Sequence, residues 1–563
     1  MSSLDPSPPL TGPDDVPPSA ATEDAGPSLA RATVAMSIGT ALSRVTGFGR
    51  IAVMAWAIGA TESKLPDTYN LANSLPNIVY QLVLGEILAT IFVPVFVEHI
   101  KTREREDSWK LASSILNIAF VVAAIFSAIT VLLAPQLIKI YAFHVPAAQR
   151  AQQEAVGGFF LRLFMPQMIF YAVGAVMTGL LNAYRRFAIP MFAPVLNNLI
   201  VIATFIVFRY EHGSRTPTLS SLTLGDKWLL AGGTTLGVIA MTLVLVPFIA
   251  KLPGKYQLRA FQWRHPAIRH VGNLAKYSFG YVIVNQVGLW VLFALANGKQ
   301  GGVTAFNNAW ILFQLPYGIF AVSVMTYFVR EISEHYVTRD LGAVRRDVSL
   351  GLRTTALIVL PASAGFIALS VPLNRLLLQH GTFSARSTQL AADTFVLMAI
   401  GLGAYAAFQQ IMRAFYAMQD TKTPWIVNVV TNVVNIATAI PLYVVMGVPG
   451  LALSLALSYI GGALYGAVVL RSRIGGLDGG RLLTSHTRIG IASVATGLVA
   501  WVIARGVGSS VDLGRFTGQL AQVGSAVLGG IVTYLIAAKL LGVDELKPLV
   551  GMVAGRFKRG EAI

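Results

Sequence analysis

The chain has 563 residues, of which 55% are hydrophobic and only 12% are charged. An ordinary soluble domain has about 25% charged residues, so this composition excludes a soluble globular protein. The net charge of +17 is carried by Lys and Arg between apolar runs, which indicates loops that face anionic lipid rather than a nucleic-acid partner. Cysteine is absent, which excludes disulfides, thiolate metal sites and a cysteine nucleophile.

In chain order, residues 1–28 come first and are rich in Pro, Ser and Asp, so they predict a disordered cytoplasmic tail. They lack a basic start followed by an apolar core, and are not expected to be a signal peptide. The apolar runs that follow are long enough to cross a bilayer as helices, so the predicted fold class is an all-α polytopic membrane protein with about fourteen transmembrane helices. The predicted spans are 30–58, 68–97, 110–134, 155–183, 190–209, 228–250, 272–297, 305–329, 353–378, 388–416, 424–446, 448–470, 488–506 and 518–541.

An internal repeat organises these spans. Residues 171–204 align without a gap with residues 405–438, at an offset of about 234 positions, and the alignment pairs Pro190 with Pro424 and Asn198 with Asn432. The copies lie six helices apart, so both share one orientation, as in several alternating-access carriers. Chance similarity between apolar helices is the alternative. The predicted organisation is two pseudo-symmetric six-helix lobes, 29–252 and 265–472, then two added helices in 486–541 and a basic cytoplasmic tail, 542–563.

The orientation follows from the charges of the loops. Loops after even-numbered helices carry about twice as many Lys and Arg residues as loops after odd-numbered helices. The positive-inside rule therefore predicts that both termini are cytoplasmic.

Two arginines in the first span, Arg44 and Arg50, are the strongest candidates for a binding site, because ionisable groups inside a bilayer are costly. Positions six apart on an ideal helix point about 120° away from each other. We expect Gly47 and Gly49 to loosen the helix enough to aim both side chains inward. Two guanidiniums suit a pyrophosphate, which they can bind bidentately. The alternative is an interfacial position or a buried carboxylate partner.

Other polar residues inside the spans extend the candidate site. Glu86 could neutralise an arginine or take up a proton or cation, whereas Asp67 could cap its own helix. Asn77 follows Pro76 inside the second span, and Asn285 and Gln286 could line a cavity or hold helices together. The sequence contains no phosphate loop of the GxxxxGK[ST] type and no paired-His metal spacing, so no cofactor is expected.

The sequence resembles the MviN/MurJ lipid II flippases of the multidrug/oligosaccharidyl-lipid/polysaccharide exporter superfamily. The motifs that carry the resemblance are SRVTGFGR (43–50), LNAYRRFAIPMFAP (181–194), QLPYGIF (314–320), LLQHGTFSA (377–385) and FYAMQDTKTP (415–424), together with an Asp67…Leu75-Pro76-Asn77 pattern. It implies a flippase in the bacterial inner membrane that moves lipid II outward by alternating access. Its partners would be lipid II or a related polyprenyl-pyrophosphate glycan, membrane lipids and the cell-wall synthesis and division machinery.

The resemblance also implies roles for single residues. Arg44 and Arg50 match the family's two first-helix arginines, and Asp67 matches its acidic residue at the start of helix 2. Two further family arginines are replaced here, one around Tyr80-Gln81 and one at Trp310. The pyrophosphate would bind among the arginines, and the polyprenyl tail would lie along the last two predicted helices, 488–506 and 518–541.

Three alternatives stay open at this point. The missing arginines favour a flippase for another polyprenyl-linked oligosaccharide. A membrane-embedded glycan-processing enzyme would need catalytic carboxylates in a large outer loop, whereas the first outer loop has only Glu62 and Asp67. A non-transporting scaffold would tolerate charge reversal at Arg44 and Arg50.

Overall fold

A computed structural model describes residues 26–81, 105–184, 186–213, 215–258 and 266–546. Glu86, most of the predicted tail at 1–28 and most of the tail at 542–563 lie outside these residues. The described part of the chain is built from helices. The helices of its first half are α1 Gly26–Ile58, α2 Leu65–Tyr80, α3 Arg105–Leu132, α4 Ala134–Ala142, α5 Ala147–Phe164, α6 Gln167–Ala183, α7 Ala188–His212, α8 Leu224–Leu243 and α9 Val246–Ala250.

The second half begins with a long helix and ends with a helix pair that lies outside the repeat. Its helices are α10 Pro266–Ala296, α11 Gly302–Pro316, a π-helix Tyr317–Ala321, α12 Val322–Val337, α13 Leu341–Ala368, α14 Ser370–Leu378, α15 Ala385–Ile400, α16 Leu402–Ala417, α17 Lys422–Met446, α18 Val448–Ile474, α19 Gly479–Ser510 and α20 Phe516–Leu540.

The predicted class, an all-helical polytopic membrane protein, is confirmed. Within the described ranges, 11 helices are long and apolar enough to cross a membrane, or 12 if α15 and α16 form one bent span. The count of fourteen stays a prediction, because residues 82–104 and other parts of the chain are not described.

The helix bounds follow the repeat. Helix α7 runs from Ala188 to His212, and α17 runs from Lys422 to Met446, so both ends of the second helix lie 234 positions after those of the first. The preceding helices, α6 and α16, end at Ala183 and Ala417, which are again 234 positions apart. Both copies therefore fold into the same helix–turn–helix unit.

Two of the described spans are irregular, one next to a proline and one at a glycine. Pro316 ends α11 and the chain continues through the π-helix, since proline has no N–H to donate. Helices α15 and α16 meet at Gly401 with a bend of 48°. A Cβ atom at Gly401 would lie 2.6 Å from the Cα atom of Ala456 on α18, so only glycine allows this approach.

Gly401→Ala should therefore destabilise the protein. The added methyl group must push the bend away from α18, and overpacking of this kind costs about 1–3 kcal/mol. Thermal unfolding of the purified protein in detergent measures the effect. The matched control is Gly490→Ala on α19, where an added Cβ meets nothing within 4 Å and stability should be unchanged or slightly raised. Equal stability of the two variants would contradict the packing argument.

Candidate functional site

Among the residues that the structure describes, the helix contacts between the two halves lie mainly at one end of the bundle. Their closest helix contacts are α2 with α11, α4 with α10, and α1 with α14. All three lie near the loop 59–64 that joins α1 to α2. We call this region the closed end, and the opposite end of the bundle the open end.

Asp67 makes the first of two polar contacts that join the halves at the closed end, and we call each of these contacts a clasp. Its carboxylate is fully buried and pairs with the ammonium of Lys64 at 2.9 Å. It also accepts hydrogen bonds from the backbone N–H groups of Gly301 at 2.8 Å and Thr304 at 3.0 Å, and from the Thr304 hydroxyl at 3.0 Å. Asp67 therefore caps the N-terminus of α11 in the other half. The expectation that it caps its own helix is wrong, because its oxygens point across to the partner half.

This clasp lies on the axis that relates the two repeats. Asp67 and Gly301 are 234 positions apart, and so are Asn70 and Thr304, whose side chains are joined by a hydrogen bond of 3.1 Å. The offset of the repeat is the same number, so equivalent positions of the two halves touch each other here. Equivalent residues meet only where a two-fold axis passes. The closed end is thus the pivot of the pseudo-symmetric pair.

Glu62 holds a second clasp, between the loop 59–64 and the HGTFSA motif. Its carboxylate accepts hydrogen bonds from the Ala60 N–H at 2.6 Å, the Ser384 N–H at 3.1 Å and the Ser387 hydroxyl at 2.7 Å. Burial alone would raise the pKa of Glu62, but these bonds outweigh burial and hold the pKa below its ordinary value of 4.5. Sequence reasoning did not select Glu62 as a site residue, although it is the acid of the loop 59–64.

The motif's glycine makes this second contact possible. Gly381 has a φ of +61°, and a Cβ atom there would lie 2.3 Å from the Trp56 ring. The next residue, Thr382, donates a hydrogen bond from its hydroxyl to the Trp56 carbonyl at 2.7 Å. A residue with a side chain at position 381 would hold the two halves apart.

Arg44 and Arg50 lie on a continuous helix. The expectation that Gly47 and Gly49 loosen α1 is wrong, since α1 is unbroken through both. Both glycines face α7, where Cβ atoms would lie 3.6 Å from Asn198 and from Ile202, in ordinary van der Waals contact. The arginines accordingly have different neighbours. The Arg44 guanidinium lies 3.1 Å from the Cβ position of Gly318 in the other half, whereas the charge of Arg50 acts on the hydroxyls of Tyr69 and Tyr171 in its own half.

Arg413 is a further cation inside a predicted span, and sequence reasoning did not select it. It lies on α16, close enough to Tyr317, the residue before Gly318, for its charge to act on the Tyr317 hydroxyl. The guanidiniums of Arg44 and Arg413 therefore approach the same turn of the π-helix from opposite halves. No carboxylate among the described residues pairs with Arg44, Arg50 or Arg413. The signal was present, because Arg413 is an ionisable residue inside the predicted span 388–416.

Aromatic rings occupy the two positions where the resemblance led us to expect arginine. Trp310 stacks on Phe313 with ring centroids 5.4 Å apart and meets Tyr405 at 6.0 Å, and Tyr405 in turn meets Tyr317 at 4.8 Å. Tyr80 packs on Tyr171 at 6.0 Å. In the second half, the aromatic cluster extends from Trp310 through Tyr405 to Tyr317, the residue on which the charge of Arg413 acts.

The remaining predicted site residues are dispersed. Asn285 accepts a hydrogen bond from Asn432 at 3.3 Å and so joins α10 to α17, while its neighbour Gln286 has a buried Oε1 atom with no partner among the described residues. Asn77 is exposed on α2 beside Pro76. Glu86 lies outside the described residues. Roles of Arg44, Arg50, Asp67, Glu86, Asn77, Asn285 and Gln286 in binding a substrate stay predictions.

An apolar groove runs beside the π-helix. It has a volume of about 1050 Å³ and lies between α11 with its π-helix, α13, α19 and α20. Leu315, Ile319 and Phe320 line the side of the groove near Arg44, while Tyr534 and Leu546 line its far side. Its walls offer hydrocarbon and a few backbone atoms, so a long apolar chain suits it better than a polar ligand.

Known proteins resemble the chain over most of its length. A family model described as lipid II flippase MurJ matches residues 54–511. A Thermotoga maritima protein named probable lipid II flippase MurJ is 25% identical over 524 residues, which cover 92% of this chain and 98% of the relative. A Burkholderia cenocepacia protein named lipid II flippase MurJ is 29% identical over 485 residues, which cover 84% of this chain and 90% of the relative. A solved structure described as lipid II flippase MurJ, inward closed conformation, has a TM-score of 0.72 at 22% identity and covers 91% of this chain and 100% of that chain.

Glu62→Gln tests the second clasp through its pH dependence. Because the folded-state pKa of Glu62 is lowered from 4.5, its stabilisation is complete above that pH and is lost as the pH falls through the lowered value. We expect the parent to unfold at a higher temperature than Glu62→Gln by a constant margin from about pH 5 to pH 8. The margin should shrink at more acid pH, where Glu62 is protonated. Scanning fluorimetry across a pH series measures it.

The control for this series is Glu211→Gln, which changes an exposed acid and should leave the unfolding temperature unchanged. A margin between parent and Glu62→Gln that varies between pH 5 and pH 8 would contradict the lowered pKa.

Proposed function

The chain belongs to the lipid II flippase MurJ family, and we propose that it moves lipid II, the undecaprenyl-pyrophosphate-linked peptidoglycan precursor, across the cytoplasmic membrane. It is a transporter rather than an enzyme. In this proposal both termini are cytoplasmic, the closed end faces outward and the open end faces the cytoplasm. The positive-inside pattern of the loops supports this orientation.

The observation that carries the proposal is the pair of guanidiniums at Tyr317-Gly318. Arg44 touches the other half at Gly318 and remains exposed, so its guanidinium is accessible to a ligand beside that contact. Cations held in a low-dielectric space without a carboxylate partner are costly unless an anion joins them. A pyrophosphate supplies that anion, and guanidinium forks bind its oxygens bidentately. Arg44 and Arg413 would then hold the cargo from both halves at once.

The apolar groove can bind the hydrocarbon part of the ligand. Leu315 and Ile319, which flank the turn that Arg44 approaches, form one wall of the groove, and α13, α19 and α20 form the other walls. A diphosphate at the arginines and a polyprenyl chain in the groove can therefore be bound together. The tail comes from the bilayer core, so the groove gains no hydrophobic transfer energy and holds the chain by shape and van der Waals packing.

Alternating access follows from the two clasps. With the closed end held, cargo enters from the cytoplasmic side; opening Asp67 and Glu62 from their partners would release it outward. The pivot on the pseudo-two-fold axis supports a rocking of one half against the other. Contacts with membrane lipids and with the cell-wall synthesis and division machinery belong to the same proposal.

A second candidate is a flippase for another polyprenyl-linked glycan. The observation in its favour is the aromatic cluster at Trp310 and Tyr405, which replaces a cation expected for lipid II. Native mass spectrometry of the purified protein decides between the candidates, because it identifies the lipid-linked sugar that co-purifies.

Substitutions of the two arginines test the pyrophosphate site. Arg44→Ala and Arg413→Ala should each lower the flipping rate about tenfold or more, because each removes charge-assisted hydrogen bonds to the cargo. Arg44→Lys should keep part of the activity, since lysine retains the charge but not the planar fork. The measurement is the distribution of lipid II between leaflets in cells that depend on the variant, at matched protein abundance.

The matched control is Arg330→Ala. This arginine is exposed, pairs with Glu334 on α12 and should leave transport unchanged. Equal activities of Arg44→Ala and Arg44→Lys would count against bidentate binding, and a fully active Arg413→Ala would remove Arg413 from the site.

A double variant tests alternating access at the closed end. The hydroxyls of Thr61 and Ser387 are 2.8 Å apart across the halves, and the chain has no cysteine of its own. Thr61→Cys combined with Ser387→Cys should form a disulfide under oxidation, stop flipping, and regain activity on reduction. Each single variant serves as the control. Full transport by the cross-linked protein would rule out opening at this end.

A further inference from the structure

Two helices of the second half carry polar and aromatic side chains that meet between them. On each helix these residues are three or four positions apart, so they lie on one face. They are Asn307, Trp310 and Gln314 on α11, and Tyr405, Gln409 and Arg413 on α16. We call these six residues the polar strip.

Tyr405 joins the two sides of the polar strip. Its ring meets the Trp310 ring with centroids 6.0 Å apart. Its hydroxyl accepts hydrogen bonds from the side-chain amides of Gln314 at 3.3 Å and Gln409 at 3.0 Å. The strip is therefore a connected surface of one aromatic platform with amides beside it.

Several polar groups of the strip have no partner among the described residues. Gln314 and Gln409 use their N–H groups for Tyr405, and no donor in the described part of the chain reaches their Oε1 atoms. The amide of Asn307 and the indole N–H of Trp310 likewise form no hydrogen bond there. All four of these side chains are half-buried rather than fully buried, so a ligand can reach them. Amides around an aromatic ring suit a polar molecule that also has an apolar face.

The polar strip leads to the arginines of the proposed cargo site. Arg413 ends the strip on α16, and its charge acts on the hydroxyl of Tyr317. Arg44 lies beside the next residue, Gly318. Trp310 is eight residues before Gly318, which corresponds to about 12 Å along a helix. A group attached to a diphosphate at this turn can therefore extend along the strip toward the closed end.

The apolar groove lies on a different face of α11. Leu315 lines the groove and directly follows Gln314, so the two side chains point about 100° apart. A ligand with its diphosphate at the arginines can thus place its hydrocarbon chain in the groove and its other substituent on the polar strip.

We propose that the polar strip binds the sugar that is joined to the diphosphate, and so distinguishes a glycan-carrying lipid from the bare polyprenyl diphosphate. This inference rests on the proposed function, because it takes the diphosphate at the two arginines as given. The C–H groups of a pyranose ring pack on the accessible part of the Trp310 indole. Gln314, Gln409 and Asn307 form hydrogen bonds with the hydroxyl and amide groups of the sugar. Trp310 thereby determines specificity at a position where the resemblance led us to expect a cation.

Binding of two probes to the full-length protein tests this proposal. The probes are lipid II and undecaprenyl pyrophosphate, which has the tail and the diphosphate but no sugar, and native mass spectrometry measures both apparent affinities. Trp310→Leu and Gln409→Leu should each lower the affinity for lipid II about tenfold, because a contact with the sugar is lost. Both variants should bind undecaprenyl pyrophosphate as the parent does. Leucine is close to glutamine in volume, so Gln409→Leu tests the strip even if Trp310→Leu fails to fold.

The control is Trp228→Leu, which changes an exposed tryptophan on α8 and should leave both affinities unchanged. Arg413→Ala, in contrast, should lower both affinities, because both probes carry the diphosphate. An unchanged affinity of Gln409→Leu for lipid II, or an equal loss for the two probes, would overturn the sugar assignment and leave the proposed function intact. A parent protein that binds neither probe would instead contradict the proposed function itself.

Discussion

The contact between Asp67 and the N-terminus of α11 is the constraint on which the arrangement of the two halves depends. A carboxylate that is fully buried persists only if every lone pair finds a donor, and here Lys64, Gly301 and Thr304 supply them. Removing a partner from a buried pair costs about 3–5 kcal/mol, so the closed end resists partial disruption. The repeat determines which positions of the two halves meet, but it does not determine which residue types stand there. One copy has an acid at this position and the other has glycine, so the carboxylate of the first can reach the bare backbone of the second.

Closure at one end determines what the rest of the interface can do. Within the described ranges the helix contacts between the halves lie mainly there, and Arg44 lies against Gly318 of the other half while it remains exposed. The π-helix contributes to the same result. It follows Pro316 and presents Tyr317 to Arg413 on one side and Gly318 to Arg44 on the other. A local irregularity in one helix thus brings cations from both halves to one turn.

The helix pair α19 and α20 lies outside the repeat and changes the surface of the second half. A six-helix lobe by itself would expose α13 and the π-helix to lipid, whereas the added pair encloses a groove between them. Beside Arg44, this apolar groove matches a ligand that combines a phosphate with a long hydrocarbon chain. That match is the physical reason for a lipid cargo.

Hydropathy and the repeat in the sequence were sufficient for the fold class, the approximate spans and the helix–turn–helix unit shared by α6–α7 and α16–α17. These properties are local or periodic: a span needs only its own apolar residues, and a repeat needs only an offset. The motifs were sufficient for the family, and they drew attention to Arg44 and to the HGTFSA segment. Partners distant in the chain were decided by the tertiary structure alone. Asp67 caps a helix 234 positions away, Glu62 binds Ser384 and Ser387, and Arg413 joins Arg44 only because two lobes close around one axis. No local sequence pattern predicts such pairs, because the partner of each polar side chain is distant in the chain and comes close only in the folded protein.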